Sequence, residues 1–307
     1  MDLRQIEAFV QVAQHRSFSK AADALFLTQP SVTARIQALE RDLGEPLFER
    51  NGRGVRLTEI GLSFLPYARR ALKALQDGRD AIDGIRHLET GSLRLGSAVT
   101  VSTYVLPGIL KTFVARYPGI DVTVSTARSE QILGMLLNDE VQAAMVRTVY
   151  HPEVVTVPLY EDEVILIVAP DHPFAARGSV DMREVSQEPL ILFDRGSSYN
   201  ALIHSAFRQA GVVPRTVMDL DSMEATKKMV EEGLGIAMIP RVAVERELEL
   251  GYLRAVEVRG GRIPNRQISF IFRRNRRLAR AVRAFFGLIN ELYGVDVDVA
   301  EEAASAK

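Results

Sequence analysis

Pro30 restricts the folding of the N-terminal part of this chain more than any other residue. Proline is tolerated at the first positions of a helix, where its missing N–H would have no intrahelical partner, and is excluded from the interior. Leu27-Thr28-Gln29-Pro30 therefore predicts a helix opening at Thr28 or Gln29, running through SVTARIQALERDL and stopping at Gly44. A shorter helix, SKAADALF from Ser19 to Phe26, precedes it, with Ser17 as its cap. Ahead of that, Leu3, Ile6, Phe9, Val10 and Ala13 recur at helical spacing and open the chain with an amphipathic helix. Two short helices joined by a tight turn, the second opening on small polar side chains, describe a helix-turn-helix. Its second helix is expected to enter a major groove N-terminus first, with Val32, Ile36 and Leu39 on the inner face. The amide, hydroxyl and guanidinium groups of Gln29, Ser31, Thr33 and Arg35 match the donors and acceptors of base edges. Thr28 and Pro30 at the helix start complete the expected DNA-binding set on this helix.

From Pro46 the pattern becomes PLFERNGRGVRLT, two short apolar segments around Asn51-Gly52-Arg53-Gly54, and an Asn-Gly turn favours a hairpin. We read it as a wing whose Arg50 and Arg53 lie along the DNA backbone, Arg56 being the third arginine of the cluster. Residues 1–57 carry eight Lys/Arg against seven Asp/Glu, so this local clustering matters more than the segment's net +1. Thr58 is expected to cap a long helix reaching about Leu88, with Leu65, Ala68, Leu72, Leu75 and Ile82 as a coiled-coil stripe that Arg79 interrupts. A lone helix of that length has nowhere else to bury such a stripe, which predicts self-association.

After Thr90-Gly91-Ser92, strand and helix alternate. SLRLGSA, IDVTVSTA and VQAAMVR read as strands around the helices YVLPGILKTFVARYP and SEQILGMLLND, a parallel α/β unit. VPLYEDEVILIVAP starts a second lobe, in which LILFD, SSYNALIHSAFRQAG, RTVMDLD, SMEATKKMVEEGLG and IAMIP repeat the alternation. ISFIFRRN and LARAVRAFFGLINELY return to the first lobe, giving two α/β lobes joined by two crossovers, and the tail DVDVAEEAASAK is expected to fray. The expected divisions are 1–58 for DNA binding, 59–89 for the linker and 90–300 for the two lobes. Lobe I covers about 90–161 and 266–300, and lobe II about 162–265.

Composition narrows the function classes. The 307 residues contain no cysteine, which excludes disulfides, thiolate nucleophiles and cysteine-bound metals. The five histidines, His15, His87, His151, His172 and His204, lack the i, i+4 spacing of a metal helix, and there is no Gly-x-Ser-x-Gly or phosphate-loop lysine motif. No enzyme, metal site or cofactor is expected. The N-terminus lacks a signal-peptide core and no apolar run reaches membrane-span length, so a soluble, cytoplasmic protein is expected. A net charge of −1 rules out a uniformly basic coat.

SFSKAADALFLTQPSVTARIQALERDLGEPLFERNGRGVRLTEIG resembles the LysR-type DNA-binding domain nearly position for position. GSLRLGS, YVLPGIL, FVARYPGIDV, APDHPFA, VEEGLGIAMIP and AFFGLI resemble the effector domain of the same family, so the likeness covers about residues 1–295. The resemblance implies a homodimer or homotetramer that binds double-stranded promoter DNA, with RNA polymerase as a further partner. It implies a small ligand held between two periplasmic-binding-protein-like lobes. Gln29, Pro30, Ser31 and Thr33 match the start of the family's recognition helix, and Arg50 and Arg53 its basic wing positions. The chain departs from the family at Ala34-Arg35, where many members place arginine directly after the Thr33 position. It departs again at Gln142-Ala143-Ala144-Met145, where many read Asp-Leu-Ala-Ile.

In a two-lobed α/β domain, a ligand is expected at strand ends and helix N-termini, whose free N–H groups favour a small polar or anionic metabolite. Thr100, Ser102 and Thr103 follow the first strand, Thr126 and Ser129 the second, Ser197 and Ser198 follow LILFD, and Met223 and Glu224 follow VMDLD. Each hydroxyl has an alternative as a plain helix cap. Arg147 is either a positive charge at the cleft mouth or the partner of a carboxylate in the lobe interface. The run Arg273, Arg274, Arg276, Arg277, Arg280 and Arg283 reads as a solvated face beside the buried stripe of a C-terminal helix rather than as a second DNA site. A solute-binding protein serving a transporter and a constitutive architectural DNA binder are the competing readings.

Overall fold

The computed structural model describes residues 1–51, 54–86, 91–193, 196–261, 263, 265–274 and 278–295. Helices α1 (Leu3–His15), α2 (Phe18–Ala24) and α3 (Gln29–Leu43) are followed by the hairpin β1 (Phe48–Asn51) and β2 (Gly54–Leu57), and by the long α4 (Glu59–Arg86). Each helix starts where its side chains can take up orphan N–H groups. Asp2, Ser17 and Thr28 cap α1, α2 and α3, and Gly44 ends α3 in the left-handed conformation. The core of this unit is an aromatic cluster: Phe9 lies 5.3 Å from Phe48 and 5.4 Å from Phe64, and Phe18 lies 5.8 Å from Phe48. It joins α1, the hairpin and α4 at one point.

Two polar contacts fix the hairpin to the helices. Glu40 of α3 accepts hydrogen bonds from the N–H groups of Leu47 at 2.8 Å and Phe48 at 3.3 Å. Thr58 caps α4 by accepting from Gly61 N–H at 2.9 Å while donating to the Pro46 carbonyl at 2.8 Å.

The linker helix corrects one expectation. Ala68 is buried and Leu65 and Leu72 are partly buried against the helix-turn-helix core, so this part of the stripe is covered by its own chain; the side chains of Arg79 and Ile82 lie outside the described residues. The exposed apolar positions Ile60, Tyr67, Ala71, Ala74 and Gly78 form a different face, with Tyr67 62% exposed.

The remaining chain builds two sheets. The first holds β3 (Gly91–Ala98), β4 (Ile120–Ala127), β5 (Ala143–Arg147), β6 (Val154–Asp162) and, near the C-terminus, β13 (Arg266–Arg273), in the order β4-β3-β5-β13-β6. β3, β4 and β5 run parallel, whereas β13 is antiparallel to both its neighbours. A π-helical turn (Val101–Val105) leads into α5 (Leu106–Arg116), and α6 (Ser129–Leu137) follows β4. α12 (Arg280–Tyr293) covers the sheet with Phe285, Phe286 and Ile289. Gln142, at one of the departures from the family pattern, uses its carbonyl oxygen to accept the Arg94 N–H at 2.9 Å, pinning the chain entering β5 to β3.

The second lobe contains β7 (Val164–Val168), α7 (Pro173–Arg177), β8 (Ser179–Asp181), α8 (Met182–Val185), β9 (Leu190–Phe193), α9 (Ser198–Gln209), β10 (Thr216–Leu220), α10 (Met223–Glu231), β11 (Ala237–Pro240), α11 (Glu245–Leu250) and β12 (Arg254–Arg259). Its strands follow the order β11-β7-β12-β8, and the parallel pair β10-β9 joins through the Leu190–Ile236 bridge. β8, β12 and the helices α7, α8 and α11 were not expected from the sequence, being too short for a visible period.

The two lobes meet at the ends of β6 and β13, where Asp162 and Arg266 are cross-strand partners. Tyr199 of α9, 2% exposed, donates its phenol to Asp162, and the Arg266 guanidinium stacks 3.8 Å over the Tyr199 ring. Burial pushes the Asp162 carboxyl above its ordinary range, against the opposing pull of the Tyr199 hydrogen bond and Arg266.

Two predictions follow from this packing. A Cβ at Gly61 would meet the Leu47 carbonyl oxygen at 2.2 Å, so Gly61→Ala should destabilise the helix-turn-helix unit by about 1–3 kcal/mol in thermal unfolding. Tyr199→Phe should cost about 1–3 kcal/mol by leaving the buried Asp162 short of a donor. That cost should shrink as pH falls, because a carboxyl with a raised folded-state pKa is protonated first in the native state and then needs no donor. Denaturant melts at neutral and acid pH measure both, and a pH-independent cost would refute the assignment.

Candidate functional site

On α3 the buried residues Val32, Ile36 and Leu39 define the inner face, as expected, and Pro30, Ala34, Gln37 and Arg41 recur on the opposite, exposed face. Gln29 and Ser31 are exposed at the helix start, while Thr33 and Arg35 are half-buried at the flanks. Arg35 is therefore less exposed than Gln29 and Ser31. Thr28 serves the helix itself: its hydroxyl accepts the Ser31 N–H at 3.4 Å and shares a 2.8 Å hydrogen bond with the Ser31 hydroxyl. Gln29 accepts from the Ser19 hydroxyl at 3.1 Å, which links α2 to the opening of α3. Gln37 was not among the expected readers, although its helical spacing from Pro30 and Ala34 marks the outward face in the sequence. Arg50 lies in β1 opposite Val55; Arg53 lies outside the described residues.

The cleft residues come together at the lobe junction with mixed roles. Ser102 of the π turn and Thr126 of β4 share a hydrogen bond at 2.8 Å, and buried Thr100 lies at the Tyr199 phenol. Thr103 turns its hydroxyl back to the Val99 carbonyl at 2.9 Å, which is the helix-internal alternative. Ser129, also buried, accepts the Arg147 N–H at 3.2 Å. The Arg147 guanidinium reaches the Glu130 carboxylate at 2.5 Å, an ion pair within the first lobe to an exposed side chain rather than to a carboxylate across the lobe interface. The backbone N–H of Glu130 at the start of α6, then Arg147, hold that carboxyl below its ordinary range. Across the junction, Ser197 caps α9 by accepting the Asn200 N–H at 3.2 Å, and Ser198 accepts from Arg266 at 3.0 Å.

Met223 departs from its expected role, because it packs against the second lobe's core while Ser222 caps α10. Glu224 does face the first lobe. It accepts from the Tyr104 hydroxyl and pairs with Lys227 Nζ at 2.8 Å. Lys227 is 3% exposed and also bonds Glu247 and the Ala243 carbonyl, each at 2.9 Å, with its ammonium 5.3 Å over the Tyr104 ring. Burial opposes the Glu224 charge, but Lys227 and Tyr104 outweigh it and hold the carboxyl below its usual range.

Tyr104, Asp162, Tyr199, Asn200, Lys227 and Arg266 are junction residues that sequence reasoning missed. Asn200 Nδ2, Arg147 Nε and Arg266 Nε are buried donors without a hydrogen-bond partner among the described residues. Their partial signal was position: Arg266 stands at the second crossover, where a charged residue opens an otherwise apolar strand. Arg273 and Arg274 belong to the fold. Arg273 pairs with Glu153 at 2.5 Å and donates to the Leu137 carbonyl, and Arg274 donates to the Pro152 carbonyl at 3.2 Å. Arg276 and Arg277 lie outside the described residues. Among the described residues no cluster of three or more His, Asp or Glu is placed to hold a metal, and no helix is long and apolar enough to cross a membrane.

Comparison with known proteins gives consistent results at three levels. Residues 3–62 match the bacterial regulatory helix-turn-helix proteins of the lysR family, and residues 86–293 match the LysR substrate binding domain. The HTH-type transcriptional regulator CbbR of Rhodospirillum rubrum is 33% identical over 84% of this chain and 86% of its own. The RuBisCO operon transcriptional regulator of Allochromatium vinosum is 30% identical over 93% of this chain and 94% of its own. These relatives are regulators of transcription, not enzymes. In fold, full-length OxyR of Pseudomonas aeruginosa matches with a TM-score of 0.74 at 23% identity, covering 94% of this chain and 95% of its own. CbnR complexed with its target DNA matches with a TM-score of 0.71 at 24% identity, covering 95% of this chain and 99% of its own. A helix-turn-helix with an exposed reading helix, joined to two α/β lobes around a polar junction, places this chain in the LysR family of transcriptional regulators, with a DNA-binding and an effector-binding domain.

Proposed function

We propose that this regulator reads promoter half-sites with the exposed opening of α3 and responds to a small polar or anionic metabolite bound between its lobes. The observation that carries the second half is the meeting, at one junction, of Thr100, Ser102, Ser129 and Ser198 with Arg147 and Arg266. Helix N-termini and guanidinium groups attract a negative ligand group, and a ligand touching both lobes stabilises one lobe arrangement over another. Gln29, Ser31 and Thr33 read bases, with Gln37 on the same exposed side, while Arg50 and Arg53 contact phosphates. The protein works in the cytoplasm, with RNA polymerase as the machinery it influences. The names of its relatives make a RuBisCO operon the first promoter to test.

The exposed face of Ile60, Tyr67, Ala71, Ala74 and Gly78 supports a homodimer through α4, assembling further to a homotetramer, because small residues let a second helix approach closely. Two domains related by two-fold symmetry then meet half-sites separated by whole turns of DNA.

Three outcomes test the proposal. Gln29→Ala should cost about 1–3 kcal/mol on specific DNA and little on random DNA, whereas Arg50→Ala or Arg53→Ala should weaken both and lower the salt slope by about one. Equal losses for Gln29→Ala on both DNAs would remove it from base reading. Ala74→Glu should lower the mass measured by light scattering at micromolar concentration, and an unchanged mass would move the interface elsewhere. A thermal-shift screen of the full chain should give its largest rises with metabolites carrying an acidic group, lost in Arg147→Ala; hits confined to neutral or cationic compounds would overturn the anionic reading.

A further inference from the structure

A cavity lies at the lobe junction, apart from the hydroxyls and arginines of the proposed anion site and lined mainly by tyrosines and carboxylates. It measures 430 Å³, within the usual size of small-molecule sites, and no expectation from the sequence reaches it. Its walls are Tyr104 and Val105 from the first lobe, Tyr160 at the end of β6, Tyr293 at the end of α12, the crossover Glu161-Asp162-Glu163, and Arg241, Val242 and Glu245 from the second lobe. Tyr160 and Tyr293 stack with their centroids 5.3 Å apart and their planes within 14°. Burial pushes the phenols of Tyr104, Tyr160 and Tyr293 up, so all three remain neutral aromatic walls at physiological pH.

The charge balance is one-sided. Four carboxylates line the cavity against one guanidinium, and that one, Arg241, is held by Glu163 at 2.5 Å. Glu161 accepts one hydrogen bond from the Asn265 amide at 2.8 Å, and Glu245 has no cation beside it among the described residues. Asp162 is 5% exposed, one of its oxygens is taken by Tyr199, and the other has no hydrogen-bond partner among the described residues. Arg266 supplies Asp162 with a positive charge from outside this lining, which leaves Glu161 and Glu245 as the carboxylates of the aromatic-walled cavity that a cation would complete. The same wall already solves this problem once inside the chain. The Lys227 ammonium sits over the Tyr104 ring between Glu224 and Glu247.

We propose that this cavity binds a small organic cation, an amine or guanidine with an apolar body, whose charged group meets Asp162, Glu161 and Glu245 and whose body lies against the tyrosines. This site is separate from the anion site proposed above and goes beyond it. Because its walls come from both lobes and from the crossover, occupancy biases the lobe arrangement, and Tyr104 and Asp162 each also contact the second lobe, through Glu224 and Tyr199.

Benzylamine and benzoate, alike in size and opposite in charge, are the probes. Calorimetric titration of the full chain should show benzylamine binding and no benzoate binding that is sensitive to cavity substitutions. Glu161→Gln combined with Glu245→Gln should weaken benzylamine by about tenfold or more, as loss of charged hydrogen bonds does, while leaving the melting temperature of the free protein unchanged since both side chains are exposed. Asp162→Asn is the second variant, read by the same titration once its melting curve shows a folded protein. Absence of benzylamine binding, binding indifferent to the double substitution, or benzoate binding abolished by it would each overturn the proposal. The screen for acidic metabolites does not involve these residues, so failure of one site leaves the other standing.

Discussion

The two α/β lobes are joined where Asp162 pairs across strands with Arg266, because the chain leaves the first sheet at the end of β6 and re-enters it at the start of the neighbouring β13. Both residues are more than nine-tenths buried, and isolated charges in that position would be strongly unfavourable. The fold offsets this with Tyr199, which donates to the aspartate, carries the arginine on its ring and belongs to the other lobe. The element that joins the lobes is thus also the element whose polar groups are hardest to satisfy. Among the described residues the junction is still short of partners, with Asn200 and Arg266 each holding a buried donor that has none.

The DNA-binding unit is organised on a different principle. Its aromatic cluster of Phe9, Phe18, Phe48 and Phe64 draws one side chain each from α1, α2, the hairpin and α4. Glu40 then fixes the hairpin to the recognition helix, and Thr58 fixes the start of α4 to the chain before the hairpin. Reading helix, wing and the first turns of the linker form one packed body, so a change in how two linkers pair moves the reading helices as units instead of deforming them.

At the junction Arg266 lies against Ser198 and Tyr199, whereas Glu161, Glu163 and Glu245 line the tyrosine cavity together with Asp162 and Arg241. Tyr199 and Tyr104 stand between the two regions, and burial keeps both phenols protonated and able to donate.

Local physics made the N-terminal half legible in the sequence. Pro30, Thr28 and Gly44 fix the ends of α3 through backbone chemistry alone, and the period of Val32, Ile36 and Leu39 fixes its inner face. Most of the strand and helix alternation was readable for the same reason, as apolar periods bounded by turns, while the short β8, β12, α7, α8 and α11 were not. Only the tertiary structure decided which polar residues face the junction. Tyr104 meets Glu224, Asp162 meets Tyr199, and Ser198 meets Arg266 across long stretches of chain, and no period or spacing in a sequence encodes such encounters. It also decided that Leu65, Ala68 and Leu72 pack on their own domain, because a helical stripe states that a face is buried without stating against what.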